Sequence, residues 1–128
     1  MNKTGIDAIS FYVPKLFVDM KKLAIKRDIS YEKLSKGLGL KKMSIPDCNE
    51  DTASFAANAL LDLINENDID PREIGRIYLG TESALDASKP TSTYAIGVLE
   101  EILENKFGPR CFKNCDVVDL TFACVGAV

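Results

Sequence analysis

The segment STYAIGVLEEILENKF lies between two strand-type runs, RIYLGTES and CDVVDLTFA, and this order constrains the fold more than any other feature. Its apolar residues fall as Tyr94/Ala95, Val98/Leu99 and Ile102/Leu103, a repeat of four that marks an amphipathic helix. Strands separated by a helix cannot close as a tight hairpin. They favour a right-handed crossover, with the helix laid on a face of the sheet. A further helix is predicted over EDTASFAANALLDLINEN, where Phe55/Ala56, Ala59/Leu60 and Leu63/Ile64 recur behind an acidic start at Glu50 and Asp51. Pro71 in DIDPREIG opens a short helical turn.

The amino-terminal GIDAISFYVP is rich in β-branched and aromatic residues and ends at Pro14, so it reads as a strand. FVDMKKLAIKR reads as a helix with Val18, Met20, Leu23 and Ala24 on its apolar face. SYEKLSKGLGL reads as a short helix, capped by Ser30 and stopped by Gly37 and Gly39. KKMSIPDCNE and LDASKPT read as loops and GPRCFKN as a turn. Gly126 and Ala127 point to a closely packed helix beginning after the last strand. The order of strands and helices predicts an α/β layered fold.

Composition narrows the function classes. With 46% hydrophobic and 27% charged residues, the 128-residue chain has the make-up of one globular domain. A net charge of −3 gives no basis for nucleic acid or an anionic membrane as partner. No apolar run approaches the roughly 20 residues of a spanning helix. Asp7 and Ser10 break what would be the apolar core of a signal peptide, so a cytoplasmic location is the default expectation. The four cysteines are then expected to be thiols. Cys111 and Cys115 have a spacing used by some metal sites. No second pair matches it and the chain has no histidine, so no metal is expected.

In open α/β sheets, reactive groups gather beyond the carboxyl ends of the strands. Glu82 follows RIYLGT, and Cys124 follows DVVDLTFA. A cysteine at a strand-to-helix corner is exposed, and the helix amino terminus favours its thiolate. Unpaired backbone N–H groups there can hold an oxyanion, a combination that suits acyl transfer through a thioester. The plainer readings stay open: Cys124 as a small buried hydrophobe, and Glu82 as a helix cap or a solvated side chain.

GIDAISFYVPKLFVDMKKLA, GTESALDASKPT and CDVVDLTFACVGAV together resemble the amino-terminal third of hydroxymethylglutaryl-CoA synthase in its bacterial form. The resemblance runs along essentially the whole chain and is most specific in TESALDASKP and in FAC followed by small residues. It implies a thiolase-like layered fold, of which residues 1–128 would form the amino-terminal portion of the first half. Cys124 matches the nucleophile that accepts an acetyl group from acetyl-CoA, and its backbone amide would help hold the acetyl oxygen. Glu82 matches the general acid/base that deprotonates the acetyl methyl, so that the enolate attacks acetoacetyl-CoA. No metal or dissociable cofactor is implied, and a homodimer is. The family's catalytic histidine would lie beyond position 128, so these residues alone are expected to be poorly stable and inactive.

The same residues admit other functions. A relative could add branches to carrier-bound acyl groups. A type III ketoacyl synthase also places a cysteine at such a corner but pairs it with histidine and asparagine, and Glu82 argues against it. A non-enzymatic scaffold or regulatory partner of a full-length synthase is the third reading. Lys21, Lys22, Lys26 and Arg27 could attract CoA phosphates, although a solvated helix face is the favoured reading. Ser83, Lys89 and Pro90 read as residues that shape the turn and loop around Glu82. Cys48 carries no assigned role.

Overall fold

A computed structural model describes residues 4–121. These divide into two compact units, one of residues 13–50 and the other of residues 4–12 with 51–121.

The larger unit is organised by two helices, α2 (Thr52–Glu66) and α3 (Thr91–Phe107), and two strands, β3 (Arg76–Gly80) and β4 (Asp116–Leu120). Helix α2 starts where the acidic residues predicted it. The Asp51 carboxylate accepts the Ser54 N–H at 2.8 Å, and the Asp51 N–H donates to Ser54 Oγ at 2.8 Å. This reciprocal pair is a capping box with serine in the place of the usual acid. Ala57 and Ile64 on α2 are buried with Ala95, Leu99 and Leu103 on α3. Cys111 and Phe112, from the turn after α3, close the same core. Small residues at facing positions let helices approach closely. The predicted α3 stripe is half right. Ala95, Leu99 and Leu103 face inward, whereas Val98 and Ile102 remain 48% and 52% exposed.

Strands β3 and β4 pair in parallel, from Arg76 opposite Asp116 to Gly80 opposite Leu120. The helix between them is α3, as the sequence order requires. A salt bridge of 2.8 Å joins Arg76 to Asp116 at the first pair of the register. Pro71–Glu73 forms a 3-10 turn before β3, with the Asp70 carboxylate accepting the Arg72 N–H at 2.9 Å.

The expected strand over residues 5–14 is absent. The segment shows a strand's alternation, with Ala8, Ser10 and Tyr12 half-buried and Ile9 and Phe11 exposed, but carries no ladder. Side-chain periodicity records which face is buried. It does not supply the neighbouring strand that a ladder requires.

In the smaller unit, β1 (Leu16–Asp19) and β2 (Lys42–Ile45) pair antiparallel, with α1 (Met20–Arg27) following β1. The stretch KKMSIPDCNE reads as a loop around Pro46, because an alternation of only four residues, Lys42 to Ile45, is too short to mark a strand beside a proline. Its partner decides the conformation, and Lys42 Nζ sits 4.2 Å from the centre of the Phe17 ring. Val18 therefore belongs to β1, while Met20 and Ala24 are the buried residues of α1. The Asp19 carboxylate caps α1 by accepting the N–H groups of Lys21 and Lys22, each at 3.0 Å. Residues Lys33–Gly37 form a π-helical turn with no side-chain cap at its start. Gly39 then takes a φ of 68°, a left-handed conformation that glycine adopts without strain.

Candidate active site

The parallel register sets the ends of β3 and β4 level with each other. Gly80 lies opposite Leu120, and the Thr81 N–H extends the pairing by donating to the Leu120 carbonyl at 3.0 Å. The strands that precede Glu82 and Cys124 in the sequence, β3 and β4, are direct neighbours in the sheet. Glu82 is exposed, on the loop that follows β3. Cys124 lies outside the described residues.

The loop from Thr81 to Pro90 has no regular structure, yet hydrogen bonds fix it along its length. Buried Thr81 accepts the Ser83 N–H on its hydroxyl at 3.0 Å. The Ser83 carbonyl accepts the Thr52 hydroxyl at 2.7 Å, which ties the loop to the first turn of α2. The Leu85 N–H donates to Thr91 Oγ1 at 3.1 Å, which ties it to the first turn of α3. Asp86 folds the remainder by accepting the N–H groups of Ser88 at 2.7 Å and Lys89 at 3.2 Å, and the Tyr94 hydroxyl at 2.9 Å. The Ser88 N–H, then the Tyr94 hydroxyl and the Lys89 N–H, hold the Asp86 carboxyl below the usual carboxylate range. The same bond raises the Tyr94 phenol, which donates to a carboxylate it would repel once ionised. Lys89 Nζ stands 4.1 Å from the Tyr94 ring centre. Lys89 and Pro90 thus shape the loop as expected. Ser83 contributes through its backbone.

Pro90 occupies the cap position of α3 and offers no side-chain acceptor. Asp119 of β4 supplies one. Its carboxylate accepts the N–H of Thr91, the N–H of Ser92 at 3.2 Å and the Ser92 hydroxyl at 2.7 Å. Burial acts to raise its pKa, but the Ser92 hydroxyl and the two N–H groups outweigh burial and bring it below the ordinary value. Asp119 is the residue that sequence reasoning missed. The available signal was an acid inside the apolar run DVVDL, on the strand face that α3 covers.

A cavity of ≈ 200 Å³ opens beside this loop. Ala84, Asp86, Ser88, Lys89, Asp119 and Thr121 are among the residues lining it. It brings together a cation, two carboxylates and the end of β4. A second cavity of ≈ 280 Å³ is apolar, with Ala56, Leu60, Ile77 and Ile96 in its wall. The thiols of Cys111 and Cys115 are pushed up, chiefly by burial, which suits inert side chains. Cys48 is exposed. Lys21, Lys22, Lys26 and Arg27 are exposed on α1.

Residues 1–128 match the family described as hydroxymethylglutaryl-coenzyme A synthase, N terminal. The hydroxymethylglutaryl-CoA synthase of Haloferax volcanii is 38% identical over 126 residues, which are 98% of this chain and 27% of the relative. Among solved structures, MvaS in complex with 3-hydroxy-3-methylglutaryl coenzyme A superposes with a TM-score of 0.73 at 36% identity. That match covers 90% of this chain and 25% of the other. A β-ketoacyl-[acyl carrier protein] synthase III from Thermus thermophilus gives a TM-score of 0.65 at 19% identity, covering 91% and 32% of the two chains. The last is a likeness of fold alone, and the shared fold is the thiolase-like one. The chain spans about a quarter of the length of the synthases it matches.

Proposed function

Because the chain belongs to the hydroxymethylglutaryl-CoA synthase family, we propose that it forms the amino-terminal part of a synthase that condenses acetyl-CoA with acetoacetyl-CoA. The Cys124 thiolate attacks the acetyl carbonyl and the CoA thiol leaves, which stores the acetyl group as an enzyme thioester. Glu82 takes a proton from the acetyl methyl, and the resulting enolate carbon attacks the ketone of acetoacetyl-CoA. Water then cleaves the thioester to Cys124, releasing hydroxymethylglutaryl-CoA and restoring the thiol. These steps make the enzyme an acyltransferase of the mevalonate route. They require no metal or redox cofactor. The catalytic histidine of such a synthase has no counterpart among these residues, since the chain contains none. We place the working enzyme in the cytoplasm as a homodimer, its substrates being soluble CoA esters. Among the described residues, no helix is long and apolar enough to cross a membrane.

The observation that carries this reading is the register of β3 and β4. It sets the loop bearing Glu82 at the same end of the sheet as the strand that leads to Cys124. Chemistry on an acetyl group needs a base near the methyl and a nucleophile at the carbonyl, so neighbouring strand ends suit both roles. Glu82→Ala in the native gene product is expected to lose condensation by roughly 10²-fold or more while still accepting acetyl on Cys124. Condensation at the native rate would refute the role of Glu82.

A further inference from the structure

Two connections leave the end of β4 and reach the chain on either side of Glu82. The first is direct: the Leu120 carbonyl accepts the N–H of Thr81, the residue before Glu82, at 3.0 Å. The second passes through a side chain. Asp119 accepts both N–H groups at the start of α3 together with the Ser92 hydroxyl, and so fixes where Thr91 stands. Thr91 Oγ1 in turn accepts the Leu85 N–H at 3.1 Å, three residues beyond Glu82. Thr91 and Ser92 are 0% and 1% exposed, so water does not compete for these bonds.

An acid on the face of a strand that packs against a helix needs a reason to be there. Capping α3 explains one end of the arrangement, since Pro90 gives that helix no side-chain acceptor. The cap alone does not explain why Thr91 uses its hydroxyl to hold the loop. Taken together, the bonds suspend the Glu82 loop from the strand that runs on to Cys124, with one anchor on each side of the glutamate.

We propose that Asp119, acting through Thr91, is a positioning residue for Glu82. The proposal rests on the reading of Glu82 as the base and adds how its distance to the acetyl group is set. Displacing a catalytic group by about 1 Å can cost 10²-fold in rate, so loss of an anchor should weaken proton removal before it weakens anything else.

The test compares Asp119→Asn, Thr91→Val and Thr91→Ser in the native gene product, with Glu82→Ala beside them. Acetylation of Cys124 and condensation are measured separately. Thr91→Val leaves the Thr91 and Ser92 N–H groups to Asp119 intact, and so keeps most of the helix cap, while removing the hydroxyl that accepts from Leu85 and also bonds Asp119. It is expected to acetylate normally and to condense roughly tenfold more slowly. Thr91→Ser keeps the hydroxyl and should restore condensation to within about twofold of native. Asp119→Asn should show the same split with a larger loss. If it does not fold, Thr91→Val decides the matter. Native condensation in Thr91→Val, with Glu82→Ala inactive, would overturn the positioning role alone. Equal loss of acetylation and condensation would also overturn it, by showing a structural role only. Native condensation in Glu82→Ala would remove the assignment of Glu82 itself.

Discussion

Asp119 combines two opposed effects on one carboxyl group. Burial favours its neutral form, whereas three hydrogen bonds from Thr91 and Ser92 favour the anion, and the anion prevails. Its folded pKa therefore lies below the unfolded value of about 4. A depressed carboxyl contributes stability that is fully present above the unfolded pKa and is lost as pH falls through the folded pKa. Asp119→Asn should accordingly unfold at lower urea than native at pH 7, with the gap narrowing below about pH 4. Urea midpoints of the two proteins across that range check the sign; a gap that widens on acidification would contradict it. Glu82 and Cys124 were legible as candidates because a polar or nucleophilic residue just past a strand end stands out in the sequence. Asp119 was not, because its partners Ser92 and Thr91 lie 27 and 28 residues away and become neighbours only when β4 pairs with β3.

Among the elements, α2, α3, β3 and β4 were readable because each carries its own periodicity, and a helix between two strands leaves few pairings. The failures share a cause. Residues 5–14 have a strand's alternation without a ladder, and residues 42–45 have a ladder but an alternation only four residues long, next to Pro46. In both cases the deciding partner lies elsewhere in the chain. The outward half of the α3 stripe, Val98 and Ile102, shows a related limit: period alone gives the direction of the apolar face and overstates its width. Leu99 at the centre of the inward half is 0% exposed and packs in the core shared with α2. Leu99→Ala should cost about 2–5 kcal/mol, read as a lower urea midpoint. Val98→Ala, a few ångströms away on the exposed side, should cost well under half as much. Equal losses would mean that the two faces have been assigned wrongly.

At the scale of the whole molecule, the described residues leave considerable apolar surface in solvent. Phe11 is 79% exposed, and Tyr78 and Val118 on the outer face of the parallel pair are 59% and 36% exposed. Parallel sheets ordinarily have both faces covered. With the chain spanning about a quarter of its relatives, this supports the proposal that a synthase of their length completes the fold and brings the missing histidine to Cys124. The thiolase-like fold and the family were legible from three quoted stretches, GTESALDASKPT among them. The approach of Cys124 to Glu82 that the proposal requires was not, since it depends on residues far apart in sequence. The most direct measurement is the intact mass of the native gene product after exposure to acetyl-CoA, followed by mapping of the label. One acetyl group on Cys124 of the native product, and none on a polypeptide of these 128 residues alone, is the expected result. A folded native product that takes no acetyl group, or carries it on another residue, would contradict the proposed chemistry.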